Sequence, residues 1–455
     1  MFTGTCTEPS RRTSSGRGGR WDMHTDGLVL LGLVAIGYAL VAGRLERDSL
    51  GGPFVFTVAG LLLGPFALDV FDPQPEGFDV RVLAELTLAL LLFADASTIG
   101  LGELRRHAGL PLRLLAVGLP STMILGTVVF HLVQPAATWA LAALVATILA
   151  PTDAALSLPV VTNPSVPSLV RTTLNVESGL NDGIATPVIT VLIAVVASEE
   201  SLSHGWVASA VKALGIAVAV ALVLGGGGGW LAAWARRRGW TTPLSDQLVV
   251  LTLALVSFGG AVWMGGNGFV SSFVAGLAFG AVTRHEVAAA TDYTESTGLF
   301  MSYGVWAMFG AVLLGPVLRN GADLRAIWYA VASLTVIRML PVALALLGSG
   351  LGRSGTVFIG WFGPRGLASV VFLILAADDL HLSREDVGGL AVQTVIWTIA
   401  LSVLLHGVSA GPMSAWFART EASPERRAGP HAVSADAPPR RRRLGLVHHD
   451  RTGST

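Results

Sequence analysis

One short segment concentrates polar side chains within an otherwise apolar stretch of the sequence. Residues 175–183 read NVESGLNDG. On an α-helix, residues three and four positions apart share a face, so Ser178, Asn181 and Asp182 present a hydroxyl, an amide and a carboxylate together. These are hard oxygen ligands that suit a dehydrated alkali-metal cation. Glu177 lies beside that face, one turn from Asn181.

Asp182 is the residue in this segment whose charge matters most. Desolvation disfavours a bare carboxylate inside a membrane, so we expect Asp182 to be neutralised by either a proton or a cation. Such a group can exchange one for the other. The alternative is a polar network that only holds helices together.

Two further segments combine a helix-breaking residue with an ionisable one. Residues 150–153 read APTD, and residues 363–366 read GPRG. Proline removes a helix hydrogen bond, so both segments are predicted to interrupt their helices. Paired breaks in corresponding membrane helices point to a transporter site at the membrane midplane. Unwinding would let Thr152 and Asp153 face one cavity, and Asp153 could also cap the second half-helix.

The remaining charges inside apolar stretches also need partners. Even the lower estimates put the free-energy cost of each such charge at about 2.5–3.5 kcal/mol when it lies at the middle of a membrane helix. Glu177 and Arg338 are predicted to form a buried ion pair, unless Arg338 extends to the membrane surface. Arg365, at the second break, could offset a half-helix dipole, pair with an acid, or lie in a loop. Asp95 and Glu85 either line an access funnel or lie near the membrane interface.

The composition indicates which elements position these residues. Of 455 residues, 52% are hydrophobic and 13% are charged, about half the ~25% charged share of soluble domains. This excludes an ordinary soluble enzyme and favours an all-α polytopic membrane protein with about thirteen transmembrane helices. The approximate spans are 27–45, 50–68, 80–99, 112–133, 137–161, 168–198, 206–234, 244–264, 268–283, 298–318, 324–348, 355–377 and 388–410.

The odd number of spans allows two inverted six-helix repeats joined by a linking helix, with broken spans 5 and 12 in matching positions. Basic loops alternate with acidic ones, which places the C-terminus in the cytoplasm and the chain in the cell (inner or plasma) membrane. We expect a disordered polar tail at 1–25, with Met23 as a possible true start. A transmembrane domain at 26–419 and a disordered basic tail at 420–455 follow.

Other classes of partner are not expected. The formal net charge is zero and the chain has one cysteine, Cys6. There is therefore no basic footprint for nucleic acid, and no thiolate metal site or disulfide framework. We expect no cofactor. The predicted partners are the transported ions and the lipid bilayer.

Four segments together resemble the NhaP-type sodium/proton antiporters of bacteria and archaea, which are related to animal sodium/proton exchangers. They are residues 150–154 (APTDA), residues 175–183, Arg338, and residues 363–369 (GPRGLAS). The likeness spans most of residues 27–410. It implies a homodimer in which a mobile core, with spans 5 and 12 crossing as broken helices, carries the site.

The resemblance also implies roles for individual residues. Asp182 resembles the carrier of the cation (Na⁺ or K⁺) and the proton. The co-ligands that the resemblance implies are Thr152, Asp153 and Ser178. Asn181 matches the asparagine of members that exchange one cation for one proton electroneutrally. Glu177 and Arg338 match a core ion pair, and Arg365 matches an arginine on span 12. The sequence departs from many members at Gly179-Leu180, where they carry bulkier apolar residues.

The predicted function is therefore the exchange of Na⁺ or K⁺ for H⁺ by alternating access, and the protein is not expected to be an enzyme. Two alternatives stay open. In an intramembrane aspartyl protease, Asp95, Asp153 and Asp182 would be catalytic acids, although the usual sequence patterns of such enzymes are absent. A cation channel would need a continuous pore and would carry current.

Overall fold

The computed structural model describes residues 23–46, 50–71, 78–99, 109–201, 206–283, 288–380 and 387–421. Regular secondary structure in these ranges is entirely helical. The helices are α1 Met23–Leu45, α2 Gly52–Leu63, α3 Phe78–Thr98, α4 Gly109–Val133, α5 Trp139–Ile148, α6 Leu158–Val161, α7 Ser168–Ser201, α8 Val207–Arg237, α9 Pro243–Trp263, α10 Gly268–Thr283, α11 Ala289–Asn320, α12 Leu324–Leu334, α13 Val336–Ala345, α14 Arg353–Trp361, α15 Leu367–Asp379 and α16 Val387–Glu421.

Many of these helices have the length and composition of membrane spans. Among the described residues, seven helices are long and apolar enough to cross a membrane, and several shorter apolar helices accompany them. The predicted all-α polytopic architecture is thus confirmed. The count of about thirteen spans and the inverted repeat stay predictions. Residues 1–22 and 422–455, which make up nearly all of both predicted tails, lie outside the described residues.

Helices are interrupted at both predicted segments and at one more. The chain leaves helical geometry between α5 and α6 around Pro151, and between α14 and α15 around Pro364. A third interruption, at Thr335, separates α12 from α13 and was not predicted. Its backbone angles there are φ −112° and ψ −95°. Arg338 therefore lies in the first turn after this interruption, within the apolar stretch Leu324–Ala345 that is long enough to cross a membrane.

The helices pack into two groups. The scaffold group comprises α1–α3 and α8–α11, and its densest packing is that of α3 against α10 and α11. The site group comprises α4–α7 and α12–α16, with α4 packed on α5 and α12 on α16. The predicted ion-binding residues, the Glu177–Arg338 pair and Arg365 all lie on or between helices of the site group. The scaffold group meets it mainly through α3, α8 and α10 against α7, and α3 against α15.

Glycines bring the scaffold helices into close contact. The glycine run 225–229 in α8 is predicted to allow such an approach. A Cβ on Gly225 would stand 2.3 Å from the carbonyl oxygen of Ala275 in α10, and one on Gly276 would stand 2.4 Å from that of Phe93 in α3. Backbones at this separation leave no room for a side chain, so Gly225 has the packing role predicted for the run, whereas a Cβ on Gly227 would meet no atom within 4 Å.

Candidate functional site

The interruptions of the two broken helices lie against each other, at a point we call the crossing, and are joined by Asp153. Its backbone N–H donates to the carbonyl oxygen of Pro364 at 2.8 Å. Its Oδ1 accepts from the N–H groups of Ala155 at 2.6 Å and Leu156 at 3.1 Å, and its Oδ2 accepts from that of Leu367 at 2.8 Å. Leu367 begins α15. One carboxylate therefore satisfies exposed N–H groups on both broken helices, where the local dipoles favour a negative charge.

Arg365 supplies the opposite charge at the same crossing. Its side chain is fully buried, and its Nη1 donates to the carbonyl oxygens of Ala150 at 3.1 Å and Gly363 at 3.2 Å. Its Nη2 lies 3.5 Å from the carbonyl oxygen of Ser333, near the end of α12. These carbonyls lack helical partners because their helices stop there. Arg365 thus offsets the negative ends of interrupted helices, one of the roles that the sequence suggested.

Helix α16 holds the second break on both of its sides. The Ser402 hydroxyl accepts from the backbone N–H of Arg365 at 2.7 Å. His406 Nε2 lies 2.8 Å from the carbonyl oxygen of Trp361, and the two rings stack with centroids 5.2 Å apart. His406 is buried, as expected for a packed histidine. The contribution of Ser402 was not predicted, and the only signal for it is a serine one turn from a histidine in an apolar span.

Three of the predicted ligands form a connected polar group. The Thr152 and Ser178 hydroxyl oxygens are 3.0 Å apart, and Asn181 Nδ2 donates to Thr152 Oγ1 at 2.6 Å. All three side chains are buried. The Asn181 amide oxygen has no hydrogen-bond partner among the described residues. The break at Thr152 and the polar face of α7 therefore lie against each other, with one buried acceptor unused.

Asp182 is the residue after Asn181, and it differs from Asp153 in how its carboxylate is engaged. Its side chain is half-buried. No described residue hydrogen-bonds or forms an ion pair with its carboxylate. Outside the backbone bonds of the helix, the Thr186 hydroxyl donates to the Asp182 carbonyl oxygen at 2.7 Å. The charges of Asp153 and Asp95 both act on it. Asp182 is thus the available carboxylate at the crossing, and Asp95 on α3 contributes negative potential there.

Glu177 and Arg338 form a buried contact between α7 and α13. Arg338 Nη2 lies 2.6 Å from Glu177 Oε1, and each side chain is 2% exposed. Arg338 also packs against the second break, because a Cβ on Gly363 would stand 2.4 Å from its Nε. The pair therefore joins the polar face of α7 to the helix interruption that holds Arg365.

The ligand chemistry available at the crossing suits an ion of low charge. Within the described residues, no group of three or more His, Cys, Asp or Glu side chains could hold a metal ion. Asp182 is accompanied by neutral oxygens from Thr152, Ser178 and Asn181. One available carboxylate with neutral oxygens balances a single positive charge, whether a proton or an alkali-metal cation.

Apolar helices with two crossed interruptions and a carboxylate beside the crossing are typical of a secondary transporter. Residues 31–416 match the family described as sodium/hydrogen exchanger, transmembrane. The match covers most of the chain, which therefore belongs to the sodium/hydrogen exchanger family.

Individual relatives agree with this assignment. The chain is 24% identical to a Na⁺/H⁺ antiporter of Saccharomyces cerevisiae over 75% of its length and 36% of the relative. It is 27% identical to the K⁺/H⁺ antiporter NhaP2 of Shewanella sp. (strain ANA-3), over 84% of its length and 64% of the relative. The chain thus spans between about a third and just under two thirds of the length of these relatives.

The fold is also that of a solved transporter. The sodium proton antiporter MjNhaP1 of Methanocaldococcus jannaschii matches with a TM-score of 0.67 at 21% identity, over 87% of this chain and 99% of that one. The predicted resemblance to NhaP-type antiporters is confirmed. The relatives are transporters, and the prediction that the chain is not an enzyme is confirmed with it.

Proposed function

We propose that the protein exchanges a monovalent cation for a proton across the cell membrane, with Asp182 binding either ion. One observation carries the proposal: of the two carboxylates beside the crossing, Asp153 is engaged by three backbone N–H groups, whereas that of Asp182 is engaged by none of the described residues. Only a carboxylate without committed donors can take up and release an ion at low cost.

The neighbours of Asp182 complete the proposed site. Thr152 and Ser178 offer hydroxyl oxygens, and Asn181 offers an amide oxygen whose hydrogen-bonding capacity is unused. Asp153 contributes through its charge, since both of its oxygens already accept hydrogen bonds. Glu177, Arg338 and Arg365 hold the framework, because each contacts a helix interruption or the face of α7.

Competition at one carboxylate couples the two ions. Asp182 loaded with a proton or a cation is neutral and can move with the site group past the scaffold group. Empty, it is a bare charge whose transfer through an apolar barrier is costly. Alternating access then moves one cation against one proton, and the exchange is electroneutral.

Similarity to the relatives supports two candidates for the cation. The relatives named above are a Na⁺/H⁺ antiporter and a K⁺/H⁺ antiporter, so Na⁺ and K⁺ are both candidates. We further propose a homodimer with a cytoplasmic C-terminus. The exposed apolar side chains of α1 and α8 lie on the scaffold group, where lipid or a second copy would cover them.

The direct test is ion-driven proton movement in proteoliposomes that contain a pH-sensitive dye. Addition of Na⁺, K⁺ or Li⁺ in turn should change the internal pH, and Asp182→Asn should abolish the response. Asp246→Asn is the matched control. Asp246 lies at the start of α9 and forms its ion pair with Arg236 at the end of α8, within the scaffold group. Normal exchange by Asp182→Asn would refute the proposed role.

Kinetics and current separate exchange from the alternatives. Competition predicts that the apparent KM for the cation rises as the pH falls, with the maximal rate unchanged. Electroneutral exchange carries no current, whereas a channel does. An intramembrane protease would cleave a transmembrane substrate, and the proposed antiporter would not.

A further inference from the structure

Asp182 is open on one side along α7 and covered on the other. Asn175, two turns before it on the same face, is exposed, and a Cβ on Gly179 would meet no atom within 4 Å. One position after Asp182, a Cβ on Gly183 would stand 2.3 Å from the ring of Phe273. Thr186, one turn further, is fully buried. The face of α7 beside Asp182 is therefore less closely packed toward Asn175 than toward Thr186.

The covered side is sealed first by aromatic rings of the scaffold group. Phe273 and Phe269 both lie on α10, and Phe269 packs edge-on against Phe372 of α15 with ring centroids 5.7 Å apart. Because Phe273 lies on Gly183 and Phe269 on Phe372, α10 covers both α7 and α15 just beyond the crossing.

A polar contact lies beyond the rings. Asn267, immediately before α10, donates from Nδ2 to the Thr190 hydroxyl at 2.7 Å. The amide oxygen of Asn267, Oδ1, accepts from the backbone N–H of Val270 at 2.8 Å. This bond fixes Asn267 at the start of α10. Thr190 lies two turns beyond Asp182 on α7. The bond therefore joins a fixed residue of the scaffold group to the helix that carries the site.

The outermost contact is ionic. Arg81, at the start of α3, binds Asp378 and, at 2.9 Å each, Asp379 and Glu85. Asp378 and Asp379 end α15, which leaves the crossing at Leu367 and passes Phe372 on the way. Since α10 contacts both Phe372 and Thr190, the ends of α15 and α7 lie on the same side of Asp182. The aromatic, polar and ionic contacts thus all lie on one side of Asp182, where the scaffold group meets the site group.

We propose that Arg81 with Asp378 and Asp379, and Asn267 with Thr190, form a gate that closes this side and must part for Asp182 to reach the second aqueous phase. Both contacts join the scaffold group to the site group, so neither survives a displacement of one group along the other. The proposal rests on the proposed function, because it assigns the gate to the same carboxylate.

The chemistry of the gate suits repeated opening. Its two outer contacts are polar, and water can replace each partner when they separate, whereas a large apolar seal would expose its whole surface. Parting also separates Asp378 and Asp379 from Arg81, which stays paired with Glu85 on α3. Two uncompensated carboxylates at the mouth then raise the local concentration of cations. The same residues would close the path and, once open, attract the transported ion.

A cross-link tests whether the gate must part. In a Cys6→Ser background, Thr190→Cys with Asn267→Cys is treated with a short bis-methanethiosulfonate reagent in proteoliposomes. We expect exchange to stop and to return after reduction. Asp323→Cys with Gln393→Cys is the control, because its backbone-to-amide contact of 3.2 Å lies within the site group. Unimpaired exchange by the cross-linked Thr190/Asn267 pair overturns the proposal.

A second measurement is independent of transport. Thr186→Cys, also without Cys6, is labelled by a membrane-impermeant thiol reagent added on the gate side. Arg81→Gln should increase the labelling rate about 3- to 10-fold by weakening the closed state, and Arg81→Lys should change it less. Arg325→Gln is the control, since Arg325 pairs with Asp323 two residues away and joins no scaffold helix. An unchanged rate in Arg81→Gln contradicts the gate.

Repeating the labelling in Asp182→Asn separates the two proposals. The gate residues are intact in this variant, so Arg81→Gln should still accelerate labelling although exchange is lost. If Asp182→Asn exchanges normally while Arg81→Gln accelerates labelling, the gate stands and the proposed ion site fails. If exchange depends on Asp182 but Arg81→Gln leaves labelling unchanged, the site stands and the gate fails.

Discussion

The carboxylate of Asp153 fills the space that a side chain on Gly366 would need. A Cβ built on Gly366 would stand 1.8 Å from Asp153 Oδ2. That oxygen accepts the Leu367 N–H at the start of α15. The bare backbone at Gly366 therefore lets a residue of the first break reach the helix that follows the second. The crossing depends on this contact, because it joins the two interrupted helices through a single side chain.

Gly366→Ala should therefore disrupt the crossing. The added methyl group must displace Asp153, which leaves the N–H groups of Leu367, Ala155 and Leu156 short of an acceptor. We expect a loss of about 3 kcal/mol in stability, together with loss of exchange. Thermal unfolding of the purified protein measures the first effect. Gly215→Ala is the control, since a Cβ there meets no atom within 4 Å; equal melting temperatures for the two variants would contradict the argument.

Asp153→Asn and Asp182→Asn should separate a positioning carboxylate from a binding one. An asparagine at 153 turns its NH₂ group toward backbone donors whichever way its amide points, at a cost of roughly 1–3 kcal/mol. At 182 the same change removes a desolvated charge and breaks no hydrogen bond with the described residues. We expect a lower melting temperature for Asp153→Asn and an unchanged or higher one for Asp182→Asn. The reverse order would show that Asp182 has the structural role.

The sequence predicts the crossing better than it predicts what holds the crossing together. Pro151 and Pro364 mark two breaks because proline lacks the N–H that a helix needs. The contact between Glu177 and Arg338 is predictable because a charge inside an apolar span needs a partner. The spacing also predicts that Asp182 shares the polar face of α7 with Ser178 and Asn181, but not that it is half-buried where they are buried.

Other features depend on partners that are distant in the chain. The break at Thr335 has no glycine or proline beside it, and a freed carbonyl, that of Ser333, faces Arg365 from 32 positions away. Ser402 is an ordinary serine until the fold brings the N–H of Arg365 to it. Local patterns record intrinsic propensity, and these contacts exist only once α12, α15 and α16 have packed.

The Glu177–Arg338 pair should be strongly coupled energetically. Glu177→Gln leaves a buried guanidinium without its counter-charge, and Arg338→Met leaves a buried carboxylate, so each should cost about 3–5 kcal/mol. The double variant buries neither charge and should lose less than the sum of the two. A double-mutant cycle of unfolding free energies gives the coupling. Strictly additive losses would mean that the pair contributes little beyond packing against Gly363.

Gly183→Ala should interfere with the closed side of Asp182 and should be rescued by a smaller partner. The new methyl group would lie within 2.3 Å of the Phe273 ring, so either the ring must rotate away or α10 must withdraw from α7. We expect a destabilisation of about 1–3 kcal/mol, because the Phe273 ring no longer packs against α7. For the same reason we expect faster thiol labelling of a cysteine at position 186. Phe273→Leu combined with Gly183→Ala restores the space and should recover most of the stability.

Gly179→Ala, four residues earlier on the open side, should show neither effect, since nothing lies within 4 Å of its Cβ. If Gly179→Ala and Gly183→Ala behaved alike, the two sides of Asp182 would not differ in packing, and the asymmetry that places the gate beyond Gly183 would be lost.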